Sequence, residues 1–135
     1  MPIDFGSATG RRIVTTANGA ERALAEVQLF DPIRNLPISR VIRCVIDTAS
    51  QYTILPQSDL DGAGIPPGPV VPIRTIAGTV ASFPSQQVDL LIEGQYHINA
   101  TVLSSSAVGF TPVLGLLEAK DAFDFGFDFS NWYFG

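Results

Sequence analysis

The sequence has few residues of the types on which several kinds of functional site depend. Its single cysteine, Cys44, cannot form an internal disulfide framework, so the fold does not depend on oxidation. Cys44 lies inside an apolar run, where a small buried core residue is the simplest interpretation. The single histidine, His97, has no cysteine or second histidine nearby, so we expect neither a metal site nor a cofactor.

Basic residues are also scarce. The chain has 8 Lys and Arg against 13 Asp and Glu, which gives a formal net charge of −5. Nucleic-acid surfaces need clustered positive charge, so this composition argues against a nucleic-acid partner. No apolar run is long enough to span a bilayer, although hydrophobic residues make up 46% of the chain. We therefore expect part of the apolar surface to contact a partner.

The first residues of the sequence show no targeting signal. Met1 to Phe5 has neither the basic region nor the apolar core of a secretory leader. We expect a cytoplasmic protein, with a domain cut from a longer chain as the alternative.

The 135 residues fit a single domain, and they form short β-rich segments separated by turn residues. Extended segments are predicted at 11–16, 20–30, 38–46, 52–55, 70–76, 80–83, 86–92, 95–103 and 113–115. Asn18-Gly19 and Glu93-Gly94 are predicted to be hairpin turns. Many short strands with turns between them are typical of an all-β barrel or sandwich.

The remaining segments are predicted to be irregular or helical. Residues 1–10 form a terminal arm, and residues 31–37 form a loop because Asp-Pro and a second proline punctuate it. One helical turn is predicted within 56–64. Residues 65–69 include three prolines and cannot be a central strand. The helix formers of 116–122 predict a short helix.

The tail, 123–135, alternates between aromatic residues and small or acidic ones. Phenylalanine occupies every second position from Phe123 to Phe129. This period of two predicts a strand or a hairpin, with a turn at Ser130-Asn131. Two interpretations stay open, a core or edge strand and the seam of a dimer, because aromatic residues favour interface cores.

One stretch, VIRCVIDTASQYTIL at 41–55, places a carboxylate where an apolar strand ends. Asp47 is followed by the small residues Thr48, Ala49 and Ser50. A lone aspartate in apolar surroundings is costly unless it has a partner. A plain Asx-type turn is one interpretation of this stretch. Half of a catalytic carboxylate pair is the other.

Three further features follow Asp47 in order along the chain. Gly78 lies at the tip of a predicted hairpin, 70–83, Val113-Leu114-Gly115 runs into the predicted helix, and the aromatic tail comes last. With these features the chain resembles the retropepsin-like aspartic proteases, single-domain relatives of the retroviral proteases, over roughly 25–134. The resemblance implies a small closed β-barrel with one short C-terminal helix. It also implies a homodimer that cleaves extended peptides.

The resemblance implies roles for the residues of the Asp47 loop. Asp47 matches the catalytic aspartate, and Thr48 matches the residue whose hydroxyl ties the two active-site loops together. Ala49 occupies the position of a substrate-facing backbone carbonyl, and Ser50 follows it as a substrate-binding position. Leu114-Gly115 matches the segment that packs behind this loop.

The resemblance also assigns a flap, the hairpin that closes over bound peptide in this family. Its tip matches the four residues Ile76, Ala77, Gly78 and Thr79, which are therefore expected to bind substrate. Without the resemblance, Ala77-Gly78 predicts only an ordinary hairpin turn.

Peptide hydrolysis by this route needs two carboxyls close together. Two such groups cannot both ionise easily, so one holds a proton while the other acts as a base on water. The chain has only one Asp-Thr motif, at Asp47. The second carboxyl must therefore come from another copy of the chain, which two-fold symmetry supplies.

One departure from the family pattern keeps other hypotheses open. The family usually has glycine after the threonine, and this chain has Ala49, which would be strained if the loop needs a positive φ. A catalytically weak or inactive module that grips a peptide by strand addition is the first alternative. An unrelated β-sandwich used in assembly is the second.

Overall fold

A computed structural model describes residues 9–12, 14–15, 21–47, 50, 52–74, 80–115, 125–127 and 131–134. Most of these residues lie in strands. In chain order the strands are β1 Thr9–Arg12, β2 Val14–Thr15, β3 Glu21–Arg22, β4 Leu24–Asp31, β5 Leu36–Pro37, β6 Ile42–Asp47, β7 Thr53–Pro56, β8 Val70–Arg74, β9 Val80–Ile92, β10 Tyr96–Ser105, β11 Val113–Gly115, β12 Phe125–Phe127 and β13 Asn131–Phe134. A short helix, α1, spans Gln57–Gly62.

Six of the strands form a closed barrel. Their order is β4-β6-β11-β7-β10-β9, and the ring closes because β9 also pairs with β4. Strands β5 and β8 extend the sheet outside the ring by pairing with β4 and β9. The prediction of a small all-β barrel is confirmed. The sandwich alternative is wrong, because these pairings form one continuous ring.

Alternate residues of the strands fill the barrel interior. In β4, Ala25, Val27 and Leu29 are buried while Glu26 is exposed, as a period of two requires. The helix formers at the start of this segment are overruled, since helix propensities differ by only tenths of a kcal/mol. Full burial of one Val or Leu side chain contributes about 1.5–3 kcal/mol.

The hairpins predicted at Asn18-Gly19 and Glu93-Gly94 are both present. Strands β2 and β3 pair antiparallel, Val14 opposite Arg22, on either side of the predicted Asn-Gly turn, which itself lies outside the described residues. Strands β9 and β10 are joined by a turn in which Glu93 and Gly94 have φ values of 55° and 69°. The segments predicted at 80–83 and 86–92 are one continuous strand, β9.

Strand β6 begins later than predicted, at Ile42 rather than Ile38. The side chain of Ser39 is the reason. Its Oγ accepts a hydrogen bond from Leu29 N at 2.9 Å and donates one to Arg40 O at 2.8 Å. The Ser39 hydroxyl thus accepts a hydrogen bond from the backbone N–H of Leu29, which a carbonyl of a paired strand would otherwise accept.

The segment predicted as a loop, 31–37, is a tight turn with a short return strand. Asp31 Oδ1 accepts hydrogen bonds from Ile33 N at 2.9 Å and Arg34 N at 3.2 Å, and Asn35 has φ 55°. The Arg34 side chain donates to the Asp31 carboxylate at 2.7 Å and lowers the pKa of Asp31. The loop prediction is wrong for Leu36–Pro37, which returns as β5.

Helix α1 confirms the helical turn predicted within 56–64. Pro56 precedes it in an extended conformation, and Leu60 is its buried residue. Arg40 holds Asp59 through two hydrogen bonds, Nε to Oδ1 at 2.9 Å and Nη2 to Oδ2 at 3.0 Å. Two-pronged pairs of this kind are geometrically specific. This pair joins the helix to the segment that leads into β6.

The two ends of the chain share a separate sheet. Its order is β1-β13-β12, so the strand nearest the C-terminus lies between the other two. Gly126 opposite Tyr133 in the β12–β13 pairing confirms a hairpin in the aromatic tail. Most of the terminal arm, 1–10, and the helix predicted at 116–122 lie outside the described residues. The dimer seam stays a prediction.

We predict that the thiol of Cys44 is unreactive in the folded protein. Cys44 is fully buried, and burial raises the pKa of its thiol to about 12 from an ordinary value of 9.0. Alkylation is slow at pH 8 because the thiolate is the reactive form. Denaturant restores the reaction. Equal labelling rates with and without denaturant would contradict the prediction.

From the same shift we predict that the protein is less stable in alkali. The unfolded chain loses the Cys44 proton near pH 9 whereas the folded chain keeps it to about pH 12. Stability therefore falls as pH rises through this window. Denaturant titrations of wild type and Cys44→Ala measure the effect, because the variant lacks this group.

Candidate functional site

Asp47 lies at the exposed end of β6. Burial alternates at the start of this strand, where Ile42 and Cys44 are fully buried and Arg43 is exposed. The alternation fades at Val45 and Ile46, and Asp47 faces solvent. The strand thus leaves the apolar core before it reaches Asp47, as an apolar strand ending in a loop predicts. The expectation of a costly carboxylate in apolar surroundings is wrong, because Asp47 is exposed.

Strands β6 and β7, on either side of the Asp47 loop, do not pair with each other as a hairpin. Strand β11 lies between β6 and β7, parallel to β6 and antiparallel to β7. In this register Val113 pairs with Val45 on one side and Ile54 on the other. The chain from Asp47 to Thr53 must therefore cross over the end of β11. This crossing shapes the loop that carries Asp47.

Gly115 lies where the loop crosses β11. It is in register with Asp47 on β6. A Cβ atom placed on Gly115 would lie 2.5 Å from Tyr52 O and 2.8 Å from Ser50 O. No side chain fits there unless the loop backbone moves. The predicted packing of Leu114-Gly115 behind the Asp47 loop agrees with these contacts.

Thr53 joins the loop to β11 by a buried hydrogen bond. Its Oγ1 accepts a hydrogen bond from Gly115 N at 3.1 Å, and the residue is fully buried. Sequence reasoning missed this role because Thr53 stands in an extended run, where a threonine needs no special explanation. The one sequence feature that could have indicated this role is the position of Thr53 between the Asp47 loop and the aliphatic residues Ile54 and Leu55.

Ser50 stabilises the loop from within. Its backbone N–H points to Asp47 O at 3.4 Å, and its Oγ donates to Tyr52 O at 2.7 Å. Ser50 therefore has a structural role in the loop, while its predicted contact with substrate stays a prediction. The roles predicted for Thr48 and Ala49 also stay predictions, because both residues lie outside the described part of the chain.

The two strands of the predicted flap lie within the described residues. Strand β8 pairs antiparallel with the first part of β9, from Val70 opposite Pro84 to Arg74 opposite Val80. The hairpin predicted at 70–83 is therefore present. Its predicted tip, Ile76, Ala77, Gly78 and Thr79, lies outside the described residues.

Two further features are absent from the described ranges. No group of three or more His, Cys, Asp or Glu residues there is arranged to hold a metal ion. In the same ranges, none of the helical structure has the length and apolar character needed to cross a membrane.

The solved structures that resemble this one include two proteases. A retropepsin-like aspartic protease from Rickettsia conorii superposes with a TM-score of 0.61 at 12% identity, covering 93% of this chain and 98% of that chain. The simian foamy virus (mac) protease gives a TM-score of 0.49 at 16% identity, covering 73% and 92%. No family model matches the sequence, and neither does any curated protein. The chain has a retropepsin-like fold.

We predict that Gly115→Ala destabilises the protein strongly. The added methyl group meets the backbone of Tyr52 and Ser50, and overpacking of this kind costs about 1–3 kcal/mol. Denaturant titration measures the loss.

Gly62→Ala is the matched control, because nothing lies within 4 Å of a Cβ atom at Gly62. It makes the same chemical change at the end of α1, where alanine is the better helix former by up to about 1 kcal/mol. Equal stabilities of the two variants would show that the crossing is not tight.

Proposed function

We propose that the protein is an aspartic endopeptidase that hydrolyses extended peptides as a homodimer. The observation that carries the proposal is the position of Asp47, exposed at the end of β6 on a loop packed over Gly115. The retropepsin-like fold supports it, because the same fold occurs in a solved aspartic protease.

The other described aspartates are poorly placed to complete the pair. Asp31 is bound by Arg34 and Asp59 by Arg40. Asp61 accepts a hydrogen bond from Gln57 within α1. Asp89 lies on β9, 3.4 Å from Asn99. We therefore assign the second carboxyl to Asp47 of a second copy, related to the first by a two-fold axis.

In the proposed reaction, a water molecule lies between the two Asp47 carboxyls. The ionised carboxyl takes a proton from the water, whose oxygen attacks the peptide carbonyl, while the protonated carboxyl donates to the carbonyl oxygen. The C–N bond of the resulting intermediate then breaks. The first carboxyl gives its proton to the leaving nitrogen, and the second takes a proton back from the intermediate's hydroxyl. Thr48 ties the two loops together in this proposal. Ala49 and Ser50 lie along the peptide, and residues 76–79 close over it.

We also assign the dimer contact to the terminal strands. The sheet β1-β13-β12 joins both ends of the chain and carries the aromatic tail. Aromatic side chains are enriched at the centres of protein interfaces. Residues 123–135 are therefore the proposed seam that sets the two Asp47 loops against each other.

A catalytically weak or inactive peptide-binding module is the second candidate. Ala49 in place of the usual glycine is the feature that favours it. Peptide binding without cleavage, measured on a mixed peptide library across acid pH, would support the module over the protease.

We predict that Asp47→Asn abolishes peptide cleavage and leaves the fold intact. Asparagine keeps the shape of the side chain and can neither take up nor donate the carboxyl proton. Cleavage of a peptide library, read by mass spectrometry, measures the loss. Asp89→Asn makes the same change away from the loop and should retain activity. Full activity in Asp47→Asn would falsify the proposal.

Mixing wild type with Asp47→Asn tests the shared site. If each site needs both Asp47 side chains, an equal mixture that has exchanged subunits holds roughly a quarter of active dimers. Activity should then fall to about a quarter of the undiluted wild-type value, whereas independent sites would leave about half.

The pH dependence of cleavage is predicted to be bell-shaped with an acidic optimum. One carboxyl must be ionised and its partner protonated, so cleavage declines when both lose or both hold a proton. A series of kcat/KM values from acid to neutral pH measures the profile. A rate that rises steadily to neutral pH would exclude a carboxyl pair.

A further inference from the structure

Strand β9 changes its partner between two consecutive residues. In chain order, Ser85 is the first residue of β9 in register with β10, opposite Leu103. Pro84, immediately before it, is the last residue of β9 in register with β8, opposite Val70. Proline has no backbone N–H and so cannot donate to a ladder. The hairpin 70–84 therefore ends, and the barrel pairing of β9 begins, at the Pro84–Ser85 junction.

Ser85 fastens this junction to the residue before β8. Its backbone N–H donates to Pro69 O at 2.8 Å, and its Oγ donates to the same oxygen at 2.6 Å. Ser85 is only 9% exposed, so water competes little for these bonds. One carbonyl thus accepts two hydrogen bonds at the point where the hairpin leaves the barrel.

Gly68 allows the two segments to approach this closely. A Cβ atom on Gly68 would lie 2.1 Å from Ser85 O, which is backbone and cannot turn away. Beside this contact, Gln86 Nε2 donates to Pro66 O at 2.6 Å. The prolines of 65–69 fix their own φ angles, so this connection is stiff. Its carbonyls are held in place against β9.

We propose that Ser85 is a positioning residue, which together with Gly68 and Pro69 fixes the direction of the β8–β9 hairpin relative to the barrel. These three residues are the hairpin base. Within the described residues, β8 pairs with β9 and with no other strand, and the base adds a second attachment, between the residue before β8 and the start of the barrel part of β9. The consequence for peptide cleavage rests on the proposed function, whereas the effect on the hairpin does not.

Hydrogen exchange with Ser85→Ala tests the effect on the hairpin. The variant loses the Oγ donor and keeps the backbone one. The amides of β8 and of residues 80–83 should exchange roughly fivefold faster, as expected for the loss of one hydrogen bond from a local unit. The amides of β4 and β10 should exchange at the wild-type rate. Ser106→Ala, at an exposed serine, is the control and should change neither set.

Two outcomes would overturn the proposal. Unchanged exchange in β8 and 80–83 would show that Ser85 does not hold the hairpin. Equal acceleration in β4, β10 and the hairpin would show a general contribution to stability rather than a local one.

Gly68→Ala tests the close approach by a second route. The added methyl group must separate Gly68 from Ser85, so hairpin exchange should rise more than in Ser85→Ala. Gly62→Ala, with nothing near its Cβ, should leave hairpin exchange unchanged. If Gly68→Ala does not fold, Ser85→Ala still decides the question.

Kinetics separate the positioning role from the proposed chemistry. A misdirected hairpin should weaken substrate binding, so Ser85→Ala should raise KM about fivefold and leave kcat within about twofold. A fall in kcat with unchanged KM would contradict the role in positioning. Absence of cleavage in wild type would refute the proposed function alone, because the exchange measurements need no activity.

Discussion

The contact between Gly115 and the loop above it is the constraint on which the rest of the site depends. The loop between β6 and β7 can cross the end of β11 because Gly115, the last residue of β11, has no side chain to meet Ser50 O and Tyr52 O. Because β11 lies between β6 and β7, the chain after Asp47 must cross the end of β11, and β6 and β7 cannot pair as a hairpin. The place of Asp47 at the start of this crossing is thus a consequence of strand order, and Thr53 secures the arrangement with a buried hydrogen bond.

The barrel carries this constraint to both sides of the loop. Strand β7 continues into a parallel pairing with β10, and β10 pairs along its length with β9. Strand β9 then returns to β4, which flanks β6. The two strands that hold the Asp47 loop are therefore fixed through a closed ring. The same long strand, β9, extends past the ring to form the hairpin arm.

Much of this arrangement was predictable from residue patterns. The apolar run before Asp47 and the small residues after it predicted a strand that ends in a loop. Alternation predicted β4, and the Glu93-Gly94 pair predicted the turn between β9 and β10. These features depend on neighbours in sequence, where periodicity and turn chemistry are informative.

Features that depend on distant partners were harder to predict. The late start of β6 follows from a hydroxyl on Ser39 that meets Leu29 on another strand. The continuity of β9 was hidden by Pro84, which normally interrupts a strand but here marks a change of partner. The hydrogen bond between Thr53 and Gly115 links residues 62 positions apart, which no local pattern reveals.

The parallel pairing of β6 with β11 has a consequence for how the molecule is made. Val45 and Val113, which pair in this register, are 68 residues apart in sequence (113 − 45). Closing so long a segment is entropically costly, and folds dominated by distant pairings form slowly. A ribosome must synthesise the chain as far as Gly115 before β11 can pair with β6 and β7. The supports of the Asp47 loop are therefore completed only after β11 has been synthesised, however early β6 and β7 leave the ribosome.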